Sequence, residues 1–269
     1  FGDLVSAIGG DHVNVASIAS PKFNPHFIEP KPSDVLKVKR ADLFVHAGLD
    51  LELWRWPLLD AAGNRSVMPG GPKELDLSQG IALLEVPSRP LSRLEGDIHL
   101  YGNPHYWLSP ENVRRMAQVI CDKLCAIDPD HQDEYYRNLE EFLRRLDQKM
   151  VEWRSKLEPY KNRELVGYHN AWVYLMEFAG LKMQHFLEPK PGIPPTPRHV
   201  QFIEQYIKQQ RIPALIQETY FPRQTADVIA RRTGAKVLLL CQNVREQPEC
   251  ADYTAMMDYN VNQLVEALR

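Results

Sequence analysis

Residues 130–157 read DHQDEYYRNLEEFLRRLDQKMVEWRSKL. Tyr135, Leu139, Phe142, Leu146, Met150, Trp153 and Leu157 recur at three- and four-residue steps, the spacing of one apolar face of an α-helix. No Gly or Pro interrupts the run, Asp128-Pro129 supplies a start signal, and Pro159 follows the end. A helix of about 28 residues would reach about 42 Å at 1.5 Å per residue. Globular helices average about 11–12 residues, so one this long is expected to brace two lobes. The expected division is residues 1–127 as a first lobe, 128–159 as the linking helix and 160–269 as a second lobe.

Working outward, the second half alternates strand and helix. Strands are expected at Glu164–Tyr168, Lys182–Leu187, Ala214–Gln217 and Lys236–Leu240. Helices are expected at Ala171–Ala179, Thr196–Gln210, Phe221–Thr233 and Asp252–Leu268. Such alternation points to parallel βαβ units. The first half reads similarly, with a helix at Asp3–Ile8, a strand at Val13–Ile18, a helix from Ser33 to Arg40, a strand at Asp42–His46 and a helix across Gly48–Leu59. Asn64–Pro90 reads as one long loop. Ser109-Pro110-Glu111 then opens a helix to about Ala126, with a cap, a Pro at the first position and an acid in the first turn. The fold class is therefore α/β: two lobes, each a mainly parallel sheet flanked by helices, joined by one long helix.

Composition narrows the functional classes. The chain has 269 residues, 44% hydrophobic and 25% charged, with 32 Lys+Arg against 35 Asp+Glu. A net charge of −3 argues against a nucleic-acid partner. No apolar run approaches the roughly 20 residues of a membrane span. Among the 4 Cys there is no C-x-x-C that would suggest a zinc ribbon or a thioredoxin-type site. Cys121 and Cys125 sit four apart and read as small apolar residues on one helix face. Cys241 and Cys250 bound a short loop at a strand exit, and pairing is open for an exported chain.

The histidines carry the chemistry. His26 lies in Asn24-Pro25-His26, His105 in Asn103-Pro104-His105, and His169 follows the strand ending near Tyr168. Each falls at a strand-to-helix junction, and in open α/β sheets such junctions line the ligand crevice. Three neutral imidazoles from separate loops suit Zn²⁺ or another borderline divalent metal. A fourth donor would close a tetrahedral site. Glu218, at the end of the next strand, is the expected one. Cys241, if reduced, and His99 are further alternatives. His12, His46, His131, His185 and His199 lack this context. No H-E-x-x-H, P-loop, G-x-S-x-G or G-x-G-x-x-G is present.

Several long segments together resemble the metal-binding solute receptors of zinc and manganese ABC importers, the cluster A-I substrate-binding proteins. The likeness is carried by Asn24-Pro25-His26 through Asp34, Gly48-Leu49-Asp50-Leu51-Glu52-Leu53-Trp54, Asn103-Pro104-His105-Tyr106-Trp107-Leu108-Ser109-Pro110-Glu111-Asn112, Tyr168-His169-Asn170-Ala171-Trp172, and Glu218-Thr219-Tyr220-Phe221. The resemblance implies a metal held between two lobes, His26 and His105 from the first and His169 and Glu218 from the second. It implies a monomeric, extracytoplasmic receptor, with or without a lipid anchor, that delivers the ion to a membrane permease and is not an enzyme. Members favouring manganese often carry a carboxylate where this chain has His169, so the resemblance leans to Zn²⁺, with Mn²⁺ as the alternative.

Two departures qualify it. Many members place an Asp after the last strand, where this chain has Cys241-Gln242-Asn243. Members also start with a strand before the first helix, so a leader and that strand are expected to precede Phe1 in the natural chain. Competing readings are a zinc hydrolase with Glu218 or Glu29 as base, a manganese or iron receptor or adhesin of the same fold, and a receptor for a small molecule without metal. Affinity governed by ordinary imidazoles would fall as pH drops through roughly 6.5.

Overall fold

The structure is a computed structural model and describes residues 1–88, 99–190 and 192–269. Pro90, placed at the end of the long loop, Asp97-Ile98 before His99, and Pro191 lie outside the described residues. The first half holds helix α1 (Gly2–Gly9), α2 (Pro32–Arg40), strand β1 (Phe44–His46), α3 (Arg55–Ala62), β2 (Glu74–Asp76) and α4 (Pro110–Ile127). The long helix is α5 (Gln132–Leu157). The second half follows as β3 (Glu164–Gly167), α6 (Val173–Ala179), β4 (Lys182–Phe186), α7 (Pro197–Gln210), β5 (Ala214–Glu218), α8 (Gln224–Thr233), β6 (Lys236–Leu240) and α9 (Tyr253–Leu268).

Helix α5 buries Tyr135, Leu139, Phe142, Leu146, Met150, Trp153 and Leu157, the stripe read from the sequence. Asp133 and Glu134 occupy its first turn and Arg154 and Lys156 its last, which complements the helix dipole. It packs on α1 and α4 of the first half and on α6 and α9 of the second. Polar contacts reach both sides. Asn138 Nδ2 donates to the Ile8 carbonyl at 2.9 Å, and Trp153 Nε1 donates to Asp258 of α9 at 2.8 Å. The largest apolar cluster runs from Leu4 through α4 and α5 to Leu268, so one core is shared by both halves.

The second-half sheet has the order β4-β3-β5-β6, all parallel. Every residue of β5 is buried, as expected of a central strand covered by helices on both faces. Its register pairs Gly167 with Ile216 and Glu218 with Leu240, so the carboxyl ends of β3, β5 and β6 open on one edge. The first-half sheet is the parallel pair β1–β2.

Three local expectations fail. Val13–Ile18 alternates as a strand should, yet among the described residues β1 pairs only with β2 and no strand pairs with 13–18, which packs Val13 and Val15 against the core instead. Glu74–Asp76 is a strand inside the stretch read as loop, because pairing to β1 rather than local pattern defines it. The helix expected from Gly48 starts at Arg55. Gly48 and Leu49 sit at φ 70° and 52°, a left-handed turn that a helix cannot include. A Cβ on Gly48 would stand 2.0 Å from Asp76 Oδ1, so glycine is required twice over at this position. Among the described residues no helix is long and apolar enough to cross a membrane.

Candidate metal centre

Four histidines converge: His26, His99, His105 and His169 each offer a ring nitrogen, and these atoms all lie within 4.8 Å of one another. His26 Nε2 and His105 Nε2 are 3.3 Å apart. His26, His105 and His169 are buried and the His99 side chain is 10% exposed. This is the one such group among the described residues.

The two Asn-Pro-His segments are built alike. The His26 amide donates to Asn24 Oδ1 at 3.0 Å, and the His105 amide donates to Asn103 Oδ1 at 3.1 Å. Each is a short side-chain turn in which Pro stiffens the middle residue and the histidine is presented at the end. Trp54 Nε1 donates to the Pro25 carbonyl at 2.9 Å and holds the first loop down.

The outer nitrogens are set by their partners. Asn103 Oδ1 also faces His105 Nδ1 at 2.9 Å, while its Nδ2 donates to Glu85 and to the Asn170 carbonyl. The amide orientation is thus fixed, Nδ1 of His105 must carry the proton, and Nε2 keeps its lone pair for the centre. Glu188 Oε2 lies 2.5 Å from His169 Nδ1 and fixes that ring the same way. Asp50 stands beside His99, Oδ1 to Nδ1 at 3.9 Å, and accepts the Leu100 amide at 2.9 Å. Partners of this kind orient imidazole ligands and raise their basicity.

The loops are also tied to each other. Glu85 accepts from both Asn103 and Asn170, and Tyr174 OH donates to the Asn103 carbonyl. These bonds stitch the His105 loop to the His169 loop across the two halves.

Burial sets the electrostatics. Desolvation, then neighbouring imidazoles, hold His26 and His105 well below the ordinary value. The same causes bring His99 down to about 3. These rings are neutral at pH 7 and remain so well under pH 6.5, so protons compete with a cation at lower pH than ordinary imidazoles would allow.

Glu218 is outside the histidine group. It ends β5 fully buried, with Oε1 accepting from Gln242 Nε2 at 3.2 Å and the Trp172 indole close by. Desolvation pushes its carboxyl up to about 7, and the nearby His169 and the Trp172 indole act in the opposite direction. Cys241 is a buried free thiol beside Cys250 and is not part of the histidine group. His12 and His131 stack on each other, His46 bonds Glu74, and His199 bonds the Phe186 carbonyl, all apart from the centre. Sequence reading singled out His26, His105 and His169 and placed His99 behind Glu218. The available signal was two histidines flanking Gly102-Asn103-Pro104, a segment short enough to fold both rings to one point. Asn103 and Asp50 entered the sequence reading only inside longer motifs, and Glu85 and Glu188 carried no signal, because support through a hydrogen bond leaves no spacing in the chain.

Residues 1–267 match the family described as ZnuA, zinc-uptake complex component A, periplasmic. The chain belongs to this family. A crystal structure of ZnuA superposes with a TM-score of 0.83 at 27% identity, covering 99% of this chain and 95% of that one. The manganese ABC transporter substrate-binding lipoprotein PsaA of Streptococcus pneumoniae is 25% identical over 275 residues, 99% of this chain and 85% of PsaA. The iron-binding protein YfeA of Yersinia pestis is 28% identical over 274 residues, 98% of this chain and 82% of YfeA. The ZnuA family and these neighbours are metal-binding substrate-binding receptors, not enzymes, and this chain shares the two-lobed α/β architecture of the ZnuA structure, with α5 in keeping with a bridging helix.

Proposed function

We propose that the protein is an extracytoplasmic zinc receptor that carries one Zn²⁺ to the permease of an ABC importer. The ion would be held by His26, His99, His105 and His169, and the lobes would divide at residues 1–127, 128–159 and 160–269. The observation that carries this reading is the all-imidazole group. Nitrogen donors suit zinc, whereas manganese and magnesium favour carboxylate, carbonyl and water. Zn²⁺ takes four such donors tetrahedrally at about 2.0–2.1 Å. Ring nitrogens already within 4.8 Å need only small side-chain movements to reach that arrangement.

Four protein donors fill the tetrahedral shell. No position is left for an activated water, which favours carriage over hydrolysis. Glu218 would supply a buried carboxyl group near His169 that, ionised, balances part of the charge of the arriving cation.

A manganese or iron receptor is the second reading, favoured by the metals named for PsaA and YfeA. Metal analysis of the protein as isolated, followed by calorimetric titration of metal-free protein with Zn²⁺ and Mn²⁺, separates the two. One equivalent of zinc, with manganese at least a hundredfold weaker, is the expected result. Tighter binding of manganese would overturn it.

A further inference from the structure

Cys241 and Cys250 serve nothing described so far. Both are completely buried, and their thiols lie against each other at the neck of the 241–250 loop. The neck is closed on the backbone side as well. The Arg245 amide donates to the Cys250 carbonyl at 2.6 Å and the Cys250 amide to the Gln247 carbonyl at 3.0 Å. Asn260 of α9 grips Cys241 from both sides, accepting its amide at 2.8 Å and donating to its carbonyl at 2.7 Å.

The loop so formed touches both halves. The Gln242 carbonyl accepts from Trp107 Nε1 at 2.8 Å, and Asn243 Nδ2 donates to the Pro21 carbonyl at 3.4 Å, just before the His26 turn. On the other side Gln242 Nε2 donates to Glu218, and Glu246 accepts from Thr219 and from the Gln242 and Asn243 amides. It is a clasp that ties together residues adjoining the metal centre from both halves, Trp107 and Pro21 on one side and Glu218 and Thr219 on the other.

We propose that Cys241 and Cys250 form a disulfide that locks this clasp and keeps the metal centre preorganised, an inference that rests on the extracytoplasmic receptor reading for its functional half. The oxidant is another disulfide, on a protein or a small molecule. One cysteine thiolate attacks one of its sulfurs and releases the first thiolate. The other cysteine thiolate then attacks the protein sulfur of the mixed disulfide and releases the second. The two cysteine protons pass to the released thiolates, one S–S bond is broken and one is formed. Because both sulfurs are buried, exchange takes place before the clasp closes, and the finished bond resists reduction.

The test uses the full chain folded in a reduced and oxidised glutathione mixture, then mapped by mass spectrometry after alkylation without reduction. A Cys241–Cys250 cross-link with Cys121 and Cys125 alkylated is expected. Closing a loop of this length corresponds to a metal-free melting temperature about 5 °C above that of protein reduced by a non-thiol phosphine. Zinc affinity should be about tenfold weaker in the reduced wild type and in Cys250→Ser. Four free thiols, or a cross-link through Cys121 or Cys125, would overturn the bond. Equal zinc affinity in the oxidised and reduced forms would overturn the clasp. The mapping and the metal-free melting need no zinc, so they stand or fall separately from the receptor reading.

Discussion

His99→Ala and Glu218→Gln form a pair that decides which side chains hold the ion. The histidine is one of four rings whose nitrogens meet within 4.8 Å, while the carboxylate lies outside that group. Zinc bound by four protein ligands is worth roughly 10–16 kcal/mol at pH 7 in small structural sites. Shared over four donors, that is about 2.5–4 kcal/mol for each, or a loss of about 10²–10³ in affinity when one is removed. Glu218→Gln keeps an oxygen for the Gln242 donor and removes only charge, so a loss of about tenfold is expected. The assay is competition against a chromogenic chelator of known affinity, with melting of each metal-free variant as a control for folding. A second readout is the zinc-induced melting shift. Ligand at about a thousandfold above Kd adds about 4 kcal/mol. With an unfolding entropy of about 2.1 cal/mol/K per residue, a chain of 269 residues should melt about 7 °C higher. His99→Ala should lose most of that shift and Glu218→Gln little of it. If Glu218→Gln weakens binding more than His99→Ala does, the carboxylate is the donor and the four-imidazole reasoning fails.

Three other outcomes follow from the same geometry. Glu188→Gln leaves the His169 ring in place but weakens the bond at 2.5 Å that fixes its proton, so zinc affinity should drop about 10–100-fold with the metal-free melting temperature little changed; an unchanged affinity would show that Glu188 is only a packing partner. Because burial holds His26, His99 and His105 below the ordinary value, zinc affinity measured by competition should fall by no more than about fivefold between pH 7.5 and 6.0, the share that protonation of Glu218 near 7 takes, and a drop well beyond tenfold would mean the rings titrate as exposed imidazoles. Glu52, pushed up to about 7 by desolvation, binds a proton in the folded chain between pH 4.5 and 7 when the unfolded chain does not, so stability falls as pH rises through that window; Glu52→Gln should therefore melt about 5 °C above wild type at pH 8 and match it near pH 5, and a constant difference at both pH values would exclude the titration of Glu52 as its cause.

What the sequence revealed follows from where the information sits. Helix α5 was legible because its stabilising face is periodic, and each of its seven apolar positions is buried. The second-half strands were legible because each is short, apolar and bounded by turn residues. Strand β2 was not, since a three-residue strand has no period and exists only through its partner β1. The Asn-Pro-His repeat was legible as two like turns because the turn chemistry lies within three consecutive residues. Glu218 looked better than His99 because a strand end is readable and a loop path is not. His99 reaches the centre through Asp50, which takes the Leu100 amide from fifty residues away.

The shared core also constrains how the ion leaves. If the halves swung apart about α5, they would have to separate a single apolar cluster that includes Trp107, Tyr106, Trp172 and Tyr174. Exposing even two or three such side chains would cost about 5 kcal/mol or more, at roughly 1.5–3 kcal/mol each. They would also have to break the bonds from Tyr174 and Asn170 to the His105 loop. Movement of the loops is cheaper. The His26 turn is flanked by Phe23 and Phe27, exposed by 63% and 59%, and it is held by few polar contacts besides the Trp54 bond. His169 and His105, by contrast, are each fixed by a hydrogen bond to a buried partner. On the receptor reading, release therefore begins most cheaply with His26, which would leave three rings in place and a coordination position open to a competing donor.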